Sequence, residues 1–157
     1  MQRRLRVVRG TGSGAPPRWM RVVLYAAAVY NLLCGAFVVL FPAALFRWAG
    51  MAAPRYPGLW QFVGMLVGVY GIGYLAAAHD PLTHWPIVLV GLIGKILTPV
   101  GYLVAAARDE ITAPFAETTL ANDVLWWIPF GIILLRAYQR HAVHLRLARD
   151  HRSLRRA

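Results

Sequence analysis

The stretch IVLVGLIGKILTPVGYLVAAA, residues 87–107, decides how the rest of the chain is read. It carries a single charged side chain, Lys95, over a length that matches the roughly 20 apolar residues a bilayer-crossing helix needs. A helix on the surface of a soluble protein would show a polar face along that length, and this one does not. Working outward, residues 22–41 and 59–78 repeat the pattern. A fourth span is expected over 118–138, with an unbroken apolar heart from Val124 to Leu135 and full length only when Asn122 and Asp123 are included. A short or re-entrant segment is the alternative there.

Composition points the same way. Of 157 residues, 59% are hydrophobic and 15% charged, and the mean hydropathy is +0.50, far from a soluble domain. The formal net charge of +11 sits almost wholly outside the apolar segments. It therefore reads as a topology and lipid signal, and with no basic region large enough to fold alone, a nucleic-acid partner is not expected.

Arginine placement tests the span count. Arg3, Arg4, Arg6, Arg9, Arg18 and Arg21 precede the first span, and Arg136, Arg140, Arg146, Arg149, Arg152, Arg155 and Arg156 follow the last. Lys and Arg collect on cytoplasmic flanks, so both termini are expected inside and the number of spans even. The joints expected outside hold only Arg47 and Arg55, then Arg108 beside Asp109, Glu110 and Glu117. The expected fold is all-α, an integral membrane four-helix bundle in the cell inner membrane. Its parts are a basic flexible segment over 1–21, the transmembrane domain over 22–138, and a basic cytoplasmic tail over 139–157. The tail is expected either as a modestly amphipathic helix against anionic lipid or as a solvated, frayed end. The first span is too long for a signal-peptide core and is expected to be retained.

Gly64, Gly68, Gly71 and Gly73 in the second span, with Gly91, Gly94 and Gly101 in the third, read as a seam of close helix contact, or as the face of a homo-oligomer. Trp48, Trp60, Trp85, Trp126 and Trp127 fall near span ends, where indole rings anchor at the headgroup boundary; the last two can also line a pocket.

The polar candidates are few. Lys95 is the only lysine, and burying it in a bilayer costs on the order of 3 kcal/mol, so it must face the bundle interior or find a partner. Counting helix rise puts it roughly 12 Å from the start of its span, at the depth of Asn31 and Tyr70. Asp123 is the available counter-charge, about 9 Å nearer the outer surface, within what a lysine side chain largely bridges. Gln61 and Asn122 complete the set. The joint His79-Asp-Pro-Leu-Thr-His-Trp-Pro86 reads as a turn rather than a metal site, and no metal or cofactor motif is present. Cys34 is the single cysteine, so no internal disulfide can form and a buried apolar role is expected.

Four stretches, Tyr30-Asn31-Leu-Leu, Leu59-Trp-Gln-Phe-Val-Gly-Met65 with Tyr70-Gly71, the run from His84 to Lys95, and Ala121-Asn-Asp-Val-Leu-Trp-Trp-Ile-Pro129, together resemble small bacterial four-helix membrane proteins that are broadly DoxX-like. The resemblance covers about residues 25–138. It implies the same bundle and an association with quinone-linked redox complexes. Chains of this kind can carry an alkyl hydroperoxide reductase label, but peroxide reduction needs a reactive cysteine, and here there is only Cys34 within a span.

The leading expectation is a non-enzymatic membrane protein that binds a lipid, a quinone-like or another hydrophobic molecule, or that supports a membrane redox partner. Competing readings are a small proton-coupled transporter, a membrane enzyme with Lys95 and Asp123 as acid and base, and a purely structural assembly subunit. Membrane lipids are expected partners in every case.

Overall fold

Apolar runs bounded by proline and glycine fold here into five helices: α1 (Arg18–Leu40), α2 (Ala44–Trp48), α3 (Pro57–Ala77), α4 (Trp85–Ala106) and α5 (Ala113–Leu154). The computed structural model describes residues 15–154, with the backbone alone at 116, 118, 119, 121 and 144–154. The expected N-terminal basic segment lies outside the described residues as far as 14, and its last residues, from Arg18, already belong to α1. No strand occurs among the described residues.

Local chemistry sets the ends. Phe41 precedes Pro42, which disfavours helical geometry at that residue, and α1 stops there with Phe41 at φ −129°. Proline sits in the first turn of both α3 and α4, where its missing N–H costs nothing. Gly50 takes the left-handed conformation that closes the turn after α2.

α1, α3 and α4 are long and apolar enough to cross a membrane. They wear their hydrophobicity outward: Leu33, Leu40, Leu59, Phe62 and Leu97 are exposed, as is Ile128 of α5. Exposed apolar surface on this scale is untenable for a monomer in water and suits hydrocarbon. The segment between α1 and α3 contains the short α2. α5 differs more. The span expected over 118–138 and the separate tail beyond it are one helix of 42 residues, which begins earlier, at Ala113, and continues to Leu154. Nothing between Tyr138 and Leu154 breaks a helix, since that segment has neither proline nor glycine. The side chains that would decide the tail's contact with lipid, from His144 on, lie outside the described residues.

The helices pack as two pairs, α1 with α3 and α4 with α5. A Cβ on Gly35 would stand 2.6 Å from the Gly64 carbonyl oxygen and 2.8 Å from the Gly68 nitrogen, so α1 and α3 touch backbone to backbone. Gln61 reinforces this pair by donating to the Val39 carbonyl at 2.9 Å. At one end the two pairs share a core in which Met20 and Leu24 of α1, Tyr74 of α3, Val88 of α4 and Phe130 and Ile133 of α5 are fully buried. At the other end α2 bridges them. Phe46 packs on Trp60 and Phe115 with ring centroids 5.1 and 5.5 Å away, and Thr112 donates to the Ala49 carbonyl at 3.1 Å. Between core and bridge the pairs stand apart.

Candidate functional site

The space left between the pairs is a cavity of about 800 Å³. Its wall is apolar for the most part, from α1 (Cys34, Phe37), α3 (Val63, Val67), α2 (Leu45) and α5 (Phe115). Asn31, Tyr70, Lys95, Asn122 and Asp123 also line it. Five of the six polar residues singled out in the sequence therefore meet around one space. Gln61 does not, because its amide is spent on the α1–α3 seam.

Lys95 and Asp123 are 6% and 3% exposed, and the Lys95 ammonium lies 3.1 Å from Asp123 Oδ1. Asn122 donates to the same oxygen at 3.1 Å. The two helices thus neutralise each other's buried charge, which answers the cost of placing either alone in an apolar medium. The Lys95 ammonium also stands 6.0 Å from the centre of the Trp126 ring. Tyr30, in turn, packs on Trp126 with centroids 6.0 Å apart.

A second link joins the same helices, and it originates in Pro99. Proline has no N–H, so the carbonyl four residues earlier, that of Lys95, lacks its helical donor. Trp127 of α5 supplies one, its indole N–H donating to the Lys95 carbonyl at 3.1 Å. Sequence reading placed Trp127 among interface anchors and missed this role. The signal was present as the spacing Lys95-xxx-Pro99, which announces an orphaned carbonyl but not its partner.

The polar inventory does not close. Asp123 Oδ2 and Asn122 Oδ1 are buried without any hydrogen-bond donor, and the indole nitrogens of Trp60 and Trp126 are buried without an acceptor. The Thr98 hydroxyl, on the cavity wall, donates to the Gly94 carbonyl at 3.0 Å and also lies within hydrogen-bonding reach of the Asp123 carboxyl. Asn31 turns its amide to the Ala27 carbonyl of its own helix, at 2.8 Å. Lys95 keeps two of its three ammonium protons beyond the Asp123 bond.

Elsewhere the polar joint between α3 and α4 is a capped turn. Asp80 accepts from the Thr83 hydroxyl at 2.8 Å and the Thr83 amide at 3.3 Å, and the Thr83 hydroxyl is the main reason its carboxyl is held below the usual carboxylate range. His84 Nδ1 lies 3.0 Å from the Asp80 carbonyl. Among the described residues no three His, Cys, Asp or Glu side chains gather as a metal would require. Trp85 packs edge-on to His141, and Arg136 lies over Trp19.

Against known proteins, no family model, no curated sequence and no solved structure matches this chain.

Proposed function

We propose that this is a small four-span protein of the bacterial inner membrane, with both termini cytoplasmic, that binds a hydrophobic molecule of lipid or quinone-like character between its two helix pairs. The observation that carries the reading is the cavity itself: about 800 Å³, apolar over most of its wall, with one buried ion pair at its edge. Small-molecule sites have this make-up, a largely apolar hollow of some 300–1,000 Å³ with a few convergent polar groups. The motif resemblance to DoxX-like proteins and their quinone-linked complexes favours the same class of ligand. Catalysis is not part of the reading: Lys95 and Asp123 spend their charges on each other, and among the described residues the cavity wall adds only Cys34, Thr98 and the tyrosines as further acids or nucleophiles.

The test is native mass spectrometry of the chain purified in gentle detergent, wild type against Val67→Trp. Val67 lines the cavity, and an indole in its place projects into it and narrows it. Wild type is expected to carry a discrete hydrophobic adduct that the variant loses while keeping its helical circular dichroism. An adduct retained in equal amount by the variant, or no adduct on wild type even after loading with total membrane lipid extract, defeats the proposal.

A further inference from the structure

The cavity is shut at both ends and open at its sides. Its floor is Tyr74 packed on Phe130, with ring centroids 5.1 Å apart and both residues fully buried. Its roof is the α2 bridge, where the rings of Phe46, Trp60 and Phe115 lie 5.1 to 6.0 Å from one another. Just above the floor the two pairs still touch. Tyr30 of α1 meets Trp126 of α5, and a Cβ on Gly94 of α4 would stand 3.6 Å from the Tyr70 hydroxyl of α3. Toward α2 the same stripes come apart. Leu33 and Phe37 follow Tyr30 at helical spacing and so face α5, while Val63, two turns before Tyr70, faces α4, and Thr98, one turn after Gly94, faces α3. Leu33, Phe37 and Val63 are 66%, 42% and 41% exposed, and Thr98 is exposed too, although all four line the cavity. A side chain that belongs to the wall and is yet open to the surroundings stands on a rim. One rim lies between α1 and α5, the other between α3 and α4.

Counted by helix rise, Leu33, Val63 and Thr98 lie about 9 to 12 Å from the α2 ends of their helices. Both rims therefore open within the half of a roughly 30 Å hydrocarbon layer nearer α2, which is the outer leaflet in the topology proposed above. Resting on that reading of cavity and topology, we infer that the cavity takes one chain of a lipid resident in the outer leaflet, threaded sideways through a rim, while the head of that lipid stays at the interface beside α2. The exposed Trp48 of α2 marks the level of the heads. A molecule arriving from water has to displace the ring cluster of the roof or the core of the floor. A chain already in hydrocarbon reaches the rims without exposing apolar surface to water.

The experiment places the full chain, as Cys34→Ser with Ala53→Cys, in vesicles whose external leaflet alone has been exchanged with phosphatidylcholine carrying a diazirine at the middle of one acyl chain. After photolysis, an impermeant biotin maleimide tags position 53 of the chains whose α2 faces out, and avidin separates them from those in the reverse orientation. Peptide mass spectrometry then compares crosslinks at Asn31 and Val67, on the cavity wall, with those at Leu59 and Val22, exposed at opposite ends of the bundle. Parallel vesicles receive phenyl(trifluoromethyl)diazirine, which diffuses freely in the membrane. Tagged chains are expected to carry lipid crosslinks at Asn31, Val67 and Leu59, and untagged chains at Val22 alone. Lipid crosslinks confined to Leu59 in the tagged chains, with Asn31 and Val67 reached by the free probe, overturn the lipid assignment and leave the cavity reading standing. Equal lipid labelling of Asn31 and Val67 in the two fractions overturns the outer-leaflet source. Labelling of neither residue by either probe overturns the cavity reading as well.

Discussion

Residue 95 is answered twice by α5, once at its ammonium by Asp123 and once at its carbonyl by Trp127. Asp123 and Trp127 are four apart, so they stand on one face of their helix. The carbonyl link follows from Pro99, and this gives a sharp expectation. Trp127→Phe leaves the Lys95 carbonyl without a donor and should cost about 1–3 kcal/mol. In a Pro99→Ala background the restored amide serves that carbonyl, and the same Trp127→Phe change should cost less by at least about 0.5 kcal/mol. Thermal unfolding of the four proteins in one detergent measures the cycle, and strictly additive costs would refute the assigned role. The ion pair was legible in the sequence because a lone lysine inside an apolar run must find an anion, and Asp123 was the one at reachable depth. Trp127's bond was not, since a missing N–H says that a carbonyl is free and nothing about which helix will reach it. Gln61 misled for the same reason in reverse: a polar residue in a span demands a partner, and its partner was a backbone carbonyl across the α1–α3 seam.

Among the elements, the α1–α3 pair is held by contact too close for side chains. Gly35→Ala sets a methyl against the backbone of Gly64 and Gly68, neither of which can swing aside, and should destabilise by about 1–3 kcal/mol. Gly68→Ala is its control: a Cβ there meets nothing within 4 Å, so stability should stay within about 0.5 kcal/mol of wild type. Equal effects at the two sites, measured by thermal unfolding, would refute a backbone-to-backbone α1–α3 seam at Gly35. Hydropathy found α1, α3 and α4 to within a few residues, because length and apolarity are one-dimensional signals. It attended to the glycines of α3 and passed over Gly35, whose importance depends on a neighbour 29 residues away. It cut α5 where the hydrophobicity fell, although helix continuity is set by backbone propensity and the absence of breakers rather than by polarity. The short α2, only five residues long, gave no hydropathy signal of its own.

For the whole molecule, the proposed four crossings put the α2 bridge outside and the α3–α4 turn inside. In a Cys34→Ser background, single cysteines at Ala53 and Glu110 should react with a membrane-impermeant thiol reagent added to intact spheroplasts. Cysteines at His79 and Gln139 should react only after the membrane is opened. Labelling of position 139 from outside would mean an odd number of crossings and end the proposed topology. Charge bias is the sequence's argument for this proposed arrangement, while nothing in the sequence pointed to the cavity, because an empty volume arises from how two pairs fail to meet and no residue encodes it singly. One consequence follows from the unbroken length of α5. The same rod that holds Asp123 at the cavity edge runs on past Ala137, its last core residue, for about 25 Å to Leu154. The helix that carries Asp123 therefore also carries the arginines at its far end, with Pro129 between them as the point where its backbone ladder lacks a hydrogen bond.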